Sequence, residues 1–176
     1  SILASFDKGS HIIDLLNSLE PDAMGVSKRE FSFYPENLSL RAYDATFPIV
    51  ATNVIDAKTG IDLDGIVNST ITEQNGITIG FVSIIDNGVL EDYTFNQISL
   101  IDPQQAIKRV ATELREQGAE LLVLQYTGYY PEINQLLDDG VIDLSLHKDE
   151  SYQDVDYSSR MYNQRDVFIK SPSGVA

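Results

Sequence analysis

The sequence contains no cysteine and only two histidines among its 176 residues. Without cysteine the chain can form no disulfide, no thiolate nucleophile and no zinc–thiolate site. The two histidines, His11 and His147, cannot generously fill a two-metal site of the usual mixed histidine and aspartate type. The composition therefore excludes thiol chemistry and leaves such a metal site short of its nitrogen ligands.

Basic residues are also scarce. Lysine and arginine number 12 against 27 acidic residues, which gives a formal charge of −15. This excess repels phosphate backbones and anionic lipids, so we expect neither a nucleic-acid nor a membrane partner, and a soluble domain. No apolar run approaches the roughly 20 residues of a membrane helix. The opening "SILASFDKGS" has no basic stretch followed by an apolar one, so we expect no signal peptide, and the compartment stays open.

The common catalytic motifs are missing as well. The chain has no G-x-S-x-G nucleophile elbow, no phosphate-binding G-x-x-x-x-G-K-S/T loop and no G-x-G-x-x-G. Acidic residues cluster at 138–139, 143, 149–150 and 154–156, but none forms a calcium-binding loop. In so acidic a chain a solvated surface is the ordinary explanation of these clusters, and Asp62 and Asp64 fit a turn.

Hydrophobic patterning predicts an α/β fold. In the N-terminal half we expect a helix over 10–20 with Ser10 as N-cap, a second helix from Pro35, and a buried strand over 47–55. The helix over 10–20 should place Ile12, Ile13, Leu15, Leu16 and Leu19 on one face. Asn75-Gly76 between two β-rich runs predicts a tight hairpin.

Strands and helices alternate in the second half. Asp102 as N-cap and Gly118 as terminator define a helix, followed by a strand over 119–126, a helix over 131–139 and a strand over 141–146. We expect residues 86–100 to form a loop and one further strand at 166–170. Continuous apolar strands alternating with helices indicate βαβ units, a largely parallel sheet and a single domain over 1–176.

The two histidines and a group of tyrosines are the remaining residues that could form a site. His147 follows a buried strand, at the carboxyl end where open α/β sheets place their ligands, and both a structural and a functional role fit it. His11, in the first turn of a helix, fits a structural or solvated role. Several tyrosines crowd the second half and suit either ordinary packing or an interface, at positions 126, 129, 130, 152, 157 and 162.

Several stretches, taken in order, resemble the N-terminal domain of bacterial 5'-nucleotidases and related calcineurin-like metallophosphoesterases. They are "SFDKGSHIIDLLNSLEPDAMG", "EFSFYPENL", "FPIVATNVIDAKTG", "ITEQNGITIGFVSI", "DPQQAIKRVATELREQGAELLVLQYTG" and "VIDLSLHKDES". The resemblance covers nearly the whole chain. It implies two β-sheets packed as a sandwich and flanked by helices, with a pair of divalent metals at the strand ends. Family members are often periplasmic or secreted.

The metal motifs of that family depart from their pattern in this sequence. When the stretch is aligned on Glu30 and Phe31, the family's G-N-H-E motif falls on 27–30, so a metal-binding asparagine becomes Lys28 and a catalytic histidine becomes Arg29. The later metal-binding histidine falls on Tyr126. The two earliest motifs, D-x-H and G-D, would lie before Ser1.

The last motif departs in the same way. Its two histidines fall on Asp149 and Ser151, and His147 stands where a glycine is expected. Two metal ions about 3.5–4 Å apart need bridging oxygens and neutral imidazoles. A lysine and an arginine at such a site oppose the second positive ion. Asp149 and His147 are then the weak metal candidates that remain, and the resemblance implies a domain whose metal site has been lost.

Three hypotheses follow. The first is a non-catalytic domain that needs no cofactor and binds a phosphate or nucleotide through Lys28 and Arg29. The second is a 5'-nucleotidase-like hydrolase with a site rebuilt from Asp149, Glu150, His147 and Glu30, which would require Mn²⁺, Zn²⁺ or Mg²⁺. The third is a scaffold domain that binds a protein partner through its tyrosine-rich end.

Overall fold

The computed structural model describes residues 6–88, 96–128, 130–148 and 165–168. Its helices are α1 (Ser10–Leu19), a 3₁₀ helix (Lys28–Phe33), α2 (Pro35–Asp44), α3 (Pro103–Glu116) and α4 (Ile133–Asp138). Its strands are β1 (Met24–Gly25), β2 (Ile49–Val50), β3 (Val54–Asp56), β4 (Thr70–Gln74), β5 (Ile77–Ile85), β6 (Ile98–Leu100), β7 (Leu121–Thr127), β8 (Leu144–Lys148) and β9 (Asp166–Phe168). None of the described helices is both long and apolar enough to cross a membrane.

A five-stranded sheet forms the centre, in the order β4-β5-β7-β8-β9. Strands β4 and β5 form the expected antiparallel hairpin, and its turn residues Asn75 and Gly76 both have positive φ, 53° and 79°. The pairs β5–β7, β7–β8 and β8–β9 are parallel. Helices α3 and α4 connect parallel strands, so the predicted βαβ organisation is confirmed.

Two smaller sheets differ from the sequence predictions. The single strand expected over 47–55 is wrong, because β2 pairs with β1 while β3 pairs with β6. The strand is interrupted between β2 and β3 because Thr52 and Asn53 form hydrogen bonds with β5 instead. Thr52 Oγ1 accepts from Ser83 N at 2.8 Å, and the Asn53 amide bonds to both N and O of Ile85, at 3.1 and 2.9 Å. The loop expected over 86–100 is also wrong in part, since β6 occupies its end.

Helix α1 departs from its prediction in two ways. Its N-cap is Gly9 and not Ser10, and the Asp7 carboxylate accepts hydrogen bonds from the backbone N–H groups of Gly9 and His11, both at 3.0 Å. Its apolar residues do not share one buried face: Ile13 is buried, whereas Leu15 and Leu19 are 62% and 67% exposed. The packing partners of α1 cover a narrower stripe than the hydrophobic pattern implies.

Helices α2 and α3 begin as expected. Pro35 opens α2, and Asp102 caps α3 by accepting from the backbone N–H of Gln105 at 2.9 Å. Gly118, with φ of 97°, ends the turn after α3. Both starts rest on local chemistry, since proline tolerates the first helical position and aspartate satisfies an unpaired N–H group.

The central sheet separates two hydrophobic cores. The helix-covered core lies under α3 and α4 and contains Val82, Ile84, Ile107, Val110, Ala111, Leu114, Ala119, Leu122, Leu124, Tyr126, Ile133, Leu136, Leu137 and Ile142. The N-terminal core lies on the other face and contains Ile13, Val26, Phe31, Leu38, Phe47, Ile49, Ala51, Val54, Leu63, Ile66, Ile85 and Ile98. Alternate residues of β5 enter the two cores because successive strand side chains point to opposite faces.

Candidate functional site

The loop at 27–30 begins the 3₁₀ helix that follows β1. The Glu30 carboxylate accepts hydrogen bonds from both the backbone N–H and the hydroxyl of Ser27, at 2.7 and 2.6 Å. This is the pairing of a capping box, in which the acidic residue returns to satisfy the start of its own helix. Glu30 is thus engaged in local structure, and the spacing Ser27-x-x-Glu30 is the sequence signal for it.

Strand β1 leads into this loop from the side of the N-terminal core. A Cβ atom added to Gly25 would lie 2.5 Å from Ser83 Oγ and 2.6 Å from Gln125 Oε1. Any side chain here would force Ser83 and Gln125 to shift, so glycine suits the close approach of β1 to β5 and β7. The side chains of Ser83 and Gln125 therefore face β1, which fixes the side of the sheet on which the loop begins.

Tyr126 and His147 are brought together on neighbouring strands. They are register partners, their rings stack with centroids 4.3 Å apart at 8°, and both are buried. His147 Nε2 donates to the Gly128 carbonyl at 3.0 Å. Because Tyr126 follows Gln125 in the strand, its side chain points to the opposite face, into the helix-covered core. The structure thus joins Tyr126 with His147 and turns Tyr126 away from the face that meets Gly25.

Other candidate residues lie outside the described part of the chain. These are Asp149, Glu150 and Ser151 of the last motif, the acidic residues at 154 and 156, and the tyrosines at 129, 152, 157 and 162.

Two of the acidic positions that precede them in sequence, Asp138 and Asp143, are paired with arginine. Asp143 Oδ2 lies 2.6 Å from Arg115 Nη2 and accepts from the Leu122 N–H at 2.6 Å, and Asp138 lies 3.4 Å from Arg165. Asp143 thereby joins the start of β7 to the end of α3.

A cavity of about 340 Å³ opens beside the loop, between α1, the 3₁₀ helix and α2. Arg29 lines it, together with two cations that sequence analysis did not single out, Lys8 and Arg41. The sequence does contain a pattern that points to Arg41: it follows Leu38 by three residues, so the two residues lie on the same face of α2. No comparable pattern marks Lys8, which precedes α1.

Arg41 is the most unusual of these cations. Its side chain is 20% exposed, and its Nη2 lies 3.2 Å from Asp44 Oδ2. Its Nε and Nη1 atoms are buried without a hydrogen-bond acceptor in the part of the chain that the structure describes. Buried donors without acceptors are costly, so a rearrangement of this guanidinium that gave them an acceptor would be favourable.

The described residues do not fit a two-metal centre. No group of three or more histidine, cysteine, aspartate or glutamate side chains that could hold a metal ion occurs within the described ranges. Glu30 is engaged with Ser27, and Lys28 and Arg29 bring positive charge to the loop. The Nε2 atom of His147 is directed at a backbone carbonyl. This donor set supplies neither the bridging oxygens nor the free imidazoles that a metal pair needs.

Comparison by sequence finds no relative: no family model matches the chain, and no curated protein matches it. Comparison by structure does find similar proteins. A calcineurin-like phosphoesterase of Bacillus subtilis, YfkN, aligns with a TM-score of 0.66 and 19% identity over 78% of this chain. The 5'-nucleotidase precursor of Thermus thermophilus aligns with a TM-score of 0.64 and 16% identity over 85%. The sulfate thiohydrolase SoxB of Thermus thermophilus aligns with a TM-score of 0.70 and 16% identity over 83% of this chain.

The chain spans only part of these proteins, 47%, 29% and 27% of their respective lengths. Identities this low establish the fold and not the chemistry, and the three names already include more than one reaction. The mixed α/β architecture expected from the sequence is confirmed. The chain has the fold of the calcineurin-like phosphoesterases and 5'-nucleotidases, over the part of that fold that it spans.

Proposed function

We propose that this chain is a non-catalytic, phosphoesterase-like domain that binds a phosphate-bearing anion without metal. The observation that carries the proposal is the charge of the 27–30 loop and the cavity beside it. Arg29 lines the cavity together with Lys8 and Arg41, whereas Glu30, the one acidic residue among the described residues of the lining, is engaged with Ser27.

Electrostatics favours an anion over a metal pair in this loop. A fixed positive charge about 4 Å from a metal ion costs about 4 kcal/mol per unit charge at an effective dielectric constant of 20. Arginine stays charged at every physiological pH and pairs with phosphate through two parallel hydrogen bonds. Lys28 and Arg29 therefore attract the type of group that a metal pair would otherwise bind.

The contrast with the rest of the molecule supports the same conclusion. The chain carries a formal charge of −15, yet three of its 12 basic side chains line this one cavity. A cation-lined concavity in an acidic protein concentrates anions locally, although the molecule as a whole repels them. Random placement of so few basic residues would put about one beside a cavity of 13 lining residues.

Calorimetric titration with inorganic phosphate and with AMP tests the proposal. We expect binding heat with the unmodified protein and at least about tenfold weaker binding in Arg29→Ala, because a hydrogen bond to a charged group contributes about 1.5–3 kcal/mol. Arg109→Ala is the matched control: it removes the same charge from the exposed surface of α3, where Arg109 pairs with Glu113. Equal affinities in the two variants would contradict the proposal.

Metal removal and turnover assays test the proposal that the domain needs no metal and does not catalyse hydrolysis. Treatment with a chelator should leave phosphate binding unchanged, and AMP hydrolysis should not rise above the buffer rate with Mg²⁺, Mn²⁺ or Zn²⁺. Metal-dependent hydrolysis that disappears in Asp149→Asn would overturn the proposal in favour of a hydrolase with a rebuilt site.

A further inference from the structure

We propose that the cavity binds a small carboxylic acid with a hydrocarbon chain, with the carboxylate at Arg41 and the chain against the apolar wall. The inference rests on the proposed function only in that an anion binds here without metal. It goes further in naming the ligand class and in assigning the central role to Arg41.

The first argument is the state of Arg41. Two of its three guanidinium nitrogens are buried and lack an acceptor in the described ranges, and the third meets the half-exposed carboxylate of Asp44. A carboxylate matches one edge of a guanidinium and accepts two N–H groups at once. In the proposed complex the guanidinium turns towards the cavity and its unmet donors gain this partner.

The second argument is the chemistry of the wall. Seven of the 13 lining residues are large and apolar, and Leu16, Phe33 and Leu38 extend this surface along α1, the 3₁₀ helix and α2. The one neutral polar side chain among the described lining residues is Asn37, whose amide already donates to the Phe33 carbonyl. The described wall thus offers one partly engaged amide and a large apolar surface, which matches a hydrocarbon body.

The third argument concerns the volume of the cavity and the positive electrostatic field of its lining. A volume of about 340 Å³ lies at the lower end of the range of about 300–1,000 Å³ for ligand pockets, so a chain of moderate length is expected. Lys8 and Arg29 add positive charge on the same cavity without needing direct contact with the ligand. They raise the local concentration of an organic anion that the acidic surface would otherwise repel.

A chain-length series tests the proposal. Acetate, butanoate, hexanoate and octanoate are titrated by calorimetry into the unmodified protein, Arg41→Met and the surface control Arg109→Met. Burial of one methylene contributes about 0.8 kcal/mol, so Kd should fall about fourfold per added carbon until the cavity is full. In Arg41→Met octanoate should bind at least about tenfold more weakly, and octanol, which lacks the charge, should bind the unmodified protein equally weakly.

Thermal unfolding separates binding from folding. Without ligand, Arg41→Met should unfold at the same or a higher temperature than the unmodified protein, because it removes a largely buried charge of which two donors have no acceptor in the described structure. Octanoate should raise the melting temperature of the unmodified protein and of Arg109→Met, and leave that of Arg41→Met unchanged.

Distinct results would overturn the two proposals. Equal affinity along the acid series, or equal octanoate affinity in Arg41→Met, would overturn the hydrocarbon-acid assignment while phosphate and AMP binding left the proposed function standing. Absence of heat with every anion, including phosphate and AMP, would overturn both.

Discussion

The two faces of the central sheet are covered by different kinds of element. On the face under α3 and α4, Leu136, Leu137 and Ile142 are fully buried and belong to one continuous core. On the other face, short elements surround a cavity of about 340 Å³, and two donors of Arg41 find no acceptor among the described residues. Among the described residues, the helix-covered face is therefore a continuous core, whereas the N-terminal face borders a cavity lined by cations.

Leucine truncation on each face tests this difference most strongly. Leu136→Ala should lower the free energy of unfolding by about 3–5 kcal/mol, because it opens a new void in a filled core. Leu38→Ala should cost nearer about 2 kcal/mol, because Leu38 already borders a cavity. Equilibrium urea unfolding measures both, with Leu15→Ala, 62% exposed, as a control expected to change stability by less than about 0.5 kcal/mol. Equal losses for Leu38 and Leu136 would remove the distinction between the faces.

The contact between β1 and the central sheet allows a test whose expected effect on the free energy of unfolding is intermediate. Gly25→Ala should destabilise the fold by about 1–3 kcal/mol, because its Cβ would meet the short Ser83 side chain at 2.5 Å. Ser83→Ala alone should be nearly neutral, because the Ser83 hydroxyl is buried without a partner in the described structure. The double variant should recover part of the loss in a double-mutant cycle. Strict additivity would show that the two residues are not in contact.

The smallest expected effect comes from Tyr130 beside the helix-covered core. Burial, reinforced by the carboxylates of Asp102 and Glu132, raises the pKa of Tyr130 to about 12 from its ordinary 10. Between these two values the unfolded chain loses the phenol proton while the folded chain keeps it, so stability is complete below pH 10 and declines towards pH 12. The phenolate absorbance lost in Tyr130→Phe should titrate at the higher value. A titration near pH 10 would contradict the burial of this phenol.

Much of the fold follows from local sequence signals. The hairpin at Asn75-Gly76, the Asp102 cap and the Pro35 helix start all depend on residues adjacent in sequence, and all three are confirmed. The pairing of β6 with β3 was missed, because it joins segments more than 40 residues apart and β6 has only three residues. The break within 47–55 depends on hydrogen bonds from Thr52 and Asn53 to β5, which no local pattern reveals.

The candidate site was predictable only where a motif marks it. Alignment of the 27–30 loop singled out Arg29, and Arg29 is among the residues that line the cavity beside this loop. The roles of Lys28 and Arg29 as anion ligands stay predictions, as does the loss of the metal site. Arg41 could not be found in this way, because what distinguishes it is a pair of donors without an acceptor in the described structure, a property that arises only once α2 has packed.

Strand β5 has a consequence for cooperativity. Val82 and Ile84 belong to the helix-covered core, whereas Ile85 belongs to the N-terminal core, and the backbone N–H groups of Ser83 and Ile85 are held by Thr52 and Asn53. Neither core can therefore open fully without exposing one side of the same strand and releasing its hydrogen bonds. The face that tolerates a cavity is thereby coupled to the face that is densely packed, and the two should open together rather than as independent units.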